Sequence, residues 1–80
     1  MLFEYPNHSL EQMQLRNISK EIVDLVMKQP DSVINEADNQ KIFQKVIEQF
    51  LYRVFVTVNK NPALIKTVYR TSKITKYNTL

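Results

Sequence analysis

The stretch FLYRVFVTV, residues 50–58, decides the fold. In an extended chain its side chains alternate between two sides, with Tyr52, Val54, Val56 and Val58 on one side and Leu51, Arg53, Phe55 and Thr57 on the other. β-Branched and aromatic residues with a period of two predict a strand. The valine side is therefore expected to be buried in the core, and the side that carries Arg53 to be amphipathic.

Similar runs lie on both sides of this stretch. SVINE and KIFQKVIEQ precede it and are joined by ADNQ, and ALIKTVYRT follows it after the turn NKNP. Asparagine, aspartate and proline are common turn residues, so consecutive runs are expected to pair as hairpins. The sequence predicts four antiparallel strands at about residues 32–36, 40–48, 50–58 and 63–71.

Two helices are predicted before the strands. Ser9 and Gln12 have the spacing of a capping box for a helix over about residues 8–16, which ends before Asn17 in a left-handed conformation. Ser19 is positioned to cap a second helix over about 20–29, which Pro30 terminates.

The predicted fold is therefore a single α+β domain, residues 1–80, with two N-terminal helices packed on one face of a four-stranded antiparallel sheet. Two helices cover one face of such a sheet, so the other face is expected to stay partly open. The tail after residue 71 is expected to add a strand or a short helix.

Charge is divided unequally along the chain. Residues 1–40 hold three cations and seven anions, a net charge of −4, whereas residues 41–80 hold eight cations and one anion, a net charge of +7. This asymmetry indicates a polyanionic partner for the second half. The alternative is that the two halves neutralise each other within the fold.

Composition excludes several kinds of chemistry. The chain contains no cysteine, no glycine and one histidine, which disfavours thiolate metal sites and the glycine-rich loops that bind nucleotide phosphates. We expect no metal and no cofactor. The sequence shows no secretory signal pattern and no apolar run of the roughly 20 residues that a membrane helix needs, which predicts a cytoplasmic protein without a membrane partner.

The segment IKTVYRTSKITKY, residues 65–77, concentrates cations, hydroxyls and tyrosines. In a regular strand Thr67, Tyr69 and Thr71 share one side, and Lys66 and Arg70 share the other. The segment continues with four more candidates, Ser72, Lys73, Lys76 and Tyr77. Cations bind phosphodiesters and tyrosine stacks on unpaired bases, which indicates nucleic-acid binding. Alternatively, Tyr69 fills the core beneath the helices and the lysines solvate an edge strand.

His8 is the candidate for proton transfer, because imidazole exchanges protons near neutral pH. Its place beside a helix start equally suits a helix-entry residue.

These motifs resemble a family of small bacterial domains, the domain of unknown function DUF4258. The resemblance covers about residues 7–77 and rests on His8, RNIS at 16–19, LYRVFVTV at 51–58 and the closing segment. Two residues differ from the family pattern. Gln12 stands where many relatives have arginine, which removes one potential phosphate contact, and Asn17 stands where they have glycine.

The resemblance implies a RelE-like or BrnT-like ribonuclease, with a RelE-like or barnase-like arrangement of helices and sheet. It implies metal-independent cleavage of RNA by 2′-hydroxyl attack, with the protein acting as the toxin of a toxin–antitoxin pair and with RNA and an antitoxin as partners. The residues expected to act in catalysis are His8, Arg16, Tyr69 and Lys73. The residues expected to bind RNA are Thr67, Arg70, Ser72, Lys76 and Tyr77.

Two other functions remain open at the level of sequence. The basic C-terminal sheet face would also suit a non-catalytic module that binds nucleic acid or protein, which would need the cations but not His8. A scaffolding protein would instead pair its acidic helices with another chain.

Overall fold

A computed structural model describes residues 2–77. The elements, in chain order, are β1 (Phe3–Glu4), α1 (Asn7–Leu15), α2 (Lys20–Lys28), β2 (Ser32–Ala37), β3 (Gln40–Ile47), β4 (Phe50–Thr57), β5 (Ala63–Thr71) and α3 (Ile74–Tyr77). The fold is α+β, with one sheet of five strands in the order β1-β5-β4-β3-β2. Among the helices of residues 2–77, none is long and apolar enough to cross a membrane.

The prediction of two N-terminal helices on a four-stranded antiparallel sheet is wrong. The sheet is mixed, because β1 precedes the helices and pairs in parallel with β5, Phe3 with Ala63 and Glu4 with Leu64. A two-residue strand is too short to show alternation, so the sequence pattern did not indicate it. The RelE-like or barnase-like arrangement expected from the resemblance fails for the same reason.

The core lies between the sheet and the first two helices. Val54 and Val56 of β4 are fully buried, and Val54 pairs with Val68 of β5 and Phe43 of β3. These side chains pack with Met13 of α1 and with α2 in one cluster. We call this side of the sheet the helical face. The prediction that the valine side of β4 is buried is confirmed.

A β-bulge divides β5. Phe55 pairs with Thr67 but Val56 pairs with Ile65, so Lys66 is an extra residue in β5. The bulge shifts the phase of alternation by one residue. As a result, Ile65 and Val68 both point to the helical face, although an unbroken alternation predicted them on opposite faces.

The two predicted caps have different outcomes. Ser19 caps α2 as predicted, because its Oγ accepts a hydrogen bond from the backbone N–H of Ile22. Ser9 does not cap α1, since that helix begins earlier, at Asn7. Asn17 has φ of 57°, the left-handed conformation that the sequence predicted after α1.

The opposite side of the sheet, which we call the distal face, carries Gln44, Arg53, Phe55, Thr67 and Tyr69. It was expected to be partly open, but α3 packs on it. The side chain of Gln44 donates a hydrogen bond of 3.1 Å to the backbone carbonyl of Tyr77. Ile42 and Leu51, which are buried but lie outside the main core cluster, are also on this face.

Candidate functional site

Helix α1 lies along the outer edge of β5. Strand β1 pairs only with Ala63 and Leu64, so in the described chain the remainder of β5 has no strand on that side. Side chains of α1 instead bind its carbonyl groups. The hydroxyl of Ser9, which is fully buried, donates to the carbonyls of Ile65 and Lys66, the residues at the bulge. The bulge and Ser9 together fix α1 against the strand.

His8 and Arg16, at the two ends of α1, contact the same strand edge. His8 Nε2 lies 3.1 Å from the carbonyl oxygen of Lys66, and Arg16 Nη1 donates to the carbonyl oxygen of Val68 at 2.7 Å. These two carbonyls are two residues apart along β5, roughly 7 Å at the rise of a strand. The structure therefore brings these two predicted residues to one edge of the sheet.

The contact made by His8 determines its tautomer. A carbonyl oxygen only accepts hydrogen bonds, so Nε2 carries the hydrogen and donates. In the neutral imidazole Nδ1 is then the unprotonated nitrogen, which is able to accept a proton. The side chain is exposed to solvent. His8 therefore has an accessible proton acceptor at the edge of the sheet.

An open cleft of ≈ 410 Å³ is lined by Arg16, Tyr69 and Arg70. Arg70 also donates a 3.3 Å hydrogen bond to the carbonyl of Asn17 and lies 5.2 Å from the centre of the Phe50 ring. Each guanidinium has five N–H donors, so both arginines keep donors beyond these contacts. The cleft can thus present two cations and a tyrosine to a phosphate.

Arg53 is the centre of the distal face. Its Nε donates to Gln44 Oε1 at 2.6 Å, and its Nη1 donates to the hydroxyl oxygen of Tyr69. Its guanidinium carbon lies 5.4, 5.7 and 4.5 Å from the ring centres of Phe55, Tyr69 and Tyr77. The Phe55 and Tyr69 rings stack at 6.0 Å. Tyr69 thus belongs to both the cleft and the distal face, so the alternative that it fills the core beneath the helices is wrong.

The remaining predicted residues lie around this face or after β5. Thr67 is on β5 and pairs with Phe55. Ser72 and Lys73 are exposed in the turn that follows, where the backbone N–H of Lys73 donates to Thr71 Oγ1. Lys76 is exposed on α3, with its Nζ 5.2 Å from the centre of the Tyr77 ring. The structure therefore divides the predicted site between the edge of β5 and the distal face.

Sequence reasoning did not assign Arg53, Gln44 or Ser9 to the functional site. A usable signal existed for Arg53, because it is the one charged residue in the run LYRVFVTV and its long side chain must find partners. Gln44 is fully buried, and its partners lie on β2, β4 and α3. That role depends on tertiary neighbours, which no local pattern shows.

Two further polar groups lie near the helix interface, Tyr5 just before α1 and Gln12 on α1. Burial and the hydrogen bond that Tyr5 donates to Asp24 raise the pKa of the Tyr5 phenol. Gln12 of α1 has its Oε1 buried with no hydrogen-bond partner among the described residues. Within residues 2–77, no group of three or more histidine, aspartate or glutamate residues could hold a metal ion.

Comparison with known proteins identifies the family. The model of the family described as Domain of unknown function (DUF4258) matches residues 5–70. No curated protein and no solved structure matches the chain. The matched range includes α1, the bulge and the cleft arginines, and it ends before α3. Because it covers most of the sequence, the chain belongs to the DUF4258 family.

Proposed function

We propose that this protein is a metal-independent endoribonuclease that cleaves RNA by attack of a ribose 2′-hydroxyl. It would share this chemistry with the RelE-like and BrnT-like toxins, although its mixed sheet differs from the arrangement that the resemblance implied. One observation carries the proposal. A proton acceptor, His8, and a cation, Arg16, bind carbonyls roughly 7 Å apart on one strand edge. Arg16 also lines a cleft with Tyr69 and Arg70. This arrangement supplies a base, a phosphate-binding site and a hydroxyl without a metal.

In the proposed reaction, His8 Nδ1 removes the proton from the 2′-hydroxyl, whose oxygen attacks the adjacent phosphorus. Arg16 and Arg70 stabilise the negative charge that develops on the phosphate oxygens. The bond from phosphorus to the 5′-oxygen breaks, and Tyr69 donates its proton to that oxygen. The products are a 2′,3′-cyclic phosphate and a free 5′-hydroxyl.

The contact between Arg53 and Tyr69 supports an acid role for Tyr69. Arg53 donates to the phenol oxygen, and a guanidinium cannot accept a hydrogen bond, so the phenol proton is free to point elsewhere. Lys73, the remaining residue expected to act in catalysis, is exposed in the turn after β5 and is better placed to attract RNA. Ser72, Lys76 and Thr67 would contact the strand on either side of the cleaved bond.

The proposal extends to the cell. We place the protein in the cytoplasm, where its RNA substrate would be found, as the toxin of a toxin–antitoxin pair, with an antitoxin protein as its second partner. The charge of +7 on residues 41–80 would favour an acidic antitoxin surface as well as RNA.

A second function is favoured by the distal face. Arg53 with three aromatic rings, flanked by exposed lysines, also suits a non-catalytic module that binds single-stranded nucleic acid. This function would use the same cations and would not need His8. Alternatively, a non-catalytic module would use the same face to bind an acidic protein in place of nucleic acid.

Incubation of purified protein with mixed single-stranded RNA in excess chelator tests the proposal. We expect cleavage that leaves cyclic phosphate and 5′-hydroxyl ends. Tyr69→Phe, which keeps the ring, should slow cleavage while RNA stays bound. Salt-sensitive binding without any product would instead support the non-catalytic module, and products with 5′-phosphate ends would contradict the mechanism.

A further inference from the structure

The guanidinium of Arg53 is held in a fixed orientation across three strands. One hydrogen bond reaches Gln44 on β3 and another reaches Tyr69 on β5, while Arg53 itself lies on β4. Gln44 is in turn fixed by its own bonds to Ser32 and to the backbone of Tyr77. A side chain that is held in this way exposes a flat cationic surface whose position is set by the sheet.

Three aromatic rings surround that surface, and they differ in how they are attached. Phe55 and Tyr69 belong to the central strands. Tyr77 belongs to α3, a helix of four residues that follows an exposed turn, yet its ring is the nearest of the three to Arg53, at 4.5 Å. A single helical turn has little stability of its own. The position of Tyr77 therefore depends on its contacts with the distal face.

We propose that Arg53, Phe55 and Tyr69 form a binding site for an unpaired nucleobase, and that the ring of Tyr77 occupies this site when RNA is absent. Unpaired bases stack on arginine planes and on aromatic rings, which is the contact that the Tyr77 ring makes with Arg53. RNA binding would exchange one planar ring for another and displace α3. The inference rests on the proposed function only in taking RNA as the ligand.

The position of Tyr69 connects this site with the phosphate cleft. Its ring stacks with Phe55 beside Arg53, and the residue also lines the cleft with Arg16 and Arg70. One nucleotide could therefore place its base on the distal face and its phosphate at the edge of β5. Lys73 and Lys76, which are exposed near α3, add charge for neighbouring phosphates. This continuity with a cationic cleft favours RNA over a protein ligand.

The test uses the full chain and a single-stranded RNA oligonucleotide that is 2′-O-methylated throughout and contains 2-aminopurine. Methylation blocks attack by the 2′-oxygen, so binding is measured apart from cleavage, and stacking quenches the fluorescence of 2-aminopurine. Tyr77→Ala should bind this RNA several-fold more tightly, with stronger quenching, because the competing ring is removed. Arg53→Lys keeps the charge but loses the plane, so affinity should fall about 10-fold.

Lys20→Gln provides a matched control. Lys20 also lies over an aromatic ring, with its Nζ 5.4 Å from the centre of the Tyr5 ring, but it belongs to α2 and not to the distal face. Its replacement should leave the RNA affinity within two-fold of the parent protein. Weaker or unchanged binding by Tyr77→Ala would overturn the inference, as would unchanged binding by folded Arg53→Lys. If Arg53→Lys does not fold, the affinity of Tyr77→Ala, which changes only the surface helix α3, tests the inference alone.

The same assay separates this inference from the proposed function. Cleavage of unmodified RNA is measured in parallel. If no cleavage products form but the variants change the quenching as expected, the result would contradict the ribonuclease and support the base-binding site. A single-stranded DNA oligonucleotide of the same sequence is the comparison ligand. Tighter binding of the DNA than of the RNA would overturn RNA as the ligand.

Discussion

His8 Nε2 and the carbonyl oxygen of Lys66 are 3.1 Å apart, although the two residues are 58 positions apart in the chain. The contact ties the start of α1 to the bulge in β5. It also leaves the other ring nitrogen of His8 free to accept a proton. The same side chain can therefore have a structural role at the strand edge and a chemical role towards RNA, and mutation can separate the two.

His8→Ala should reduce RNA cleavage by about 10² to 10⁴, the usual contribution of a group that transfers a proton. RNA affinity should stay within a few-fold, because the cations that bind phosphate are unchanged. Single-turnover rates with saturating protein, together with filter-binding affinities, measure the two quantities separately.

His8→Gln controls for the structural role, since its amide can still donate to the Lys66 carbonyl but cannot act as a base. Loss of cleavage in both variants would assign the effect to chemistry. Parental rates in His8→Ala would remove His8 from the mechanism.

Replacement of Lys73 and Lys76 together by alanine should weaken the dependence of RNA affinity on salt. Each phosphate contact on a single strand contributes about 0.7 to the slope of log affinity against log salt, so the slope should decrease by about 1.4. The control replaces Lys20 and Lys28 on α2 and should leave the slope unchanged. If the slope decreases equally in both variants, RNA does not bind specifically at Lys73 and Lys76, and its affinity responds only to net charge.

Ser9→Ala should destabilise the fold by about 1 to 3 kcal/mol, because it removes the donor to the carbonyls of Ile65 and Lys66 at a buried position. The melting temperature should fall by about 4 to 8 °C for each kcal/mol lost. Ser72→Ala, at an exposed position, serves as the control and should have the same melting temperature as the parent protein. Equal melting of all three proteins would show that α1 is held by other contacts.

Tyr5→Phe should change how stability depends on alkaline pH. The folded state raises the pKa of the Tyr5 phenol above its ordinary value of 10.0, chiefly through burial and also through the bond to Asp24. Above about pH 10 the unfolded chain therefore releases this proton while the folded chain retains it, and stability falls as pH rises. Urea unfolding at pH 9 and pH 11 should show a smaller loss for Tyr5→Phe. Parallel losses in the two proteins would contradict this account.

The alternation of β4 was enough to predict its strand and its buried face. In a strand, side chains at every second position lie on the same face, so the valines of this run must share one face of the sheet. The parallel pairing of β1 was not predictable in this way. Phe3 and Glu4 form too short a strand for a pattern, and their partners Ala63 and Leu64 lie about sixty residues further along the chain.

For the candidate site, residue types were easier to predict than their grouping. The cations and tyrosines of the closing segment were visible in the sequence, but the bulge at Lys66 changes which of their neighbours share a face. The link between Arg53 and Tyr69 joins residues 16 positions apart through strand register. Such links depend on long-range pairing, which local periodicity does not specify.

The contacts of α1 with β5 also constrain how the protein folds during synthesis. His8, Ser9 and Arg16 bind carbonyls that lie 52 to 58 residues further along the chain. A nascent chain in which residues 65–68 are still inside the ribosome therefore lacks the carbonyls that these side chains bind. Although N-terminal segments commonly fold first during translation, α1 here can dock on the sheet only after β5 has left the ribosome.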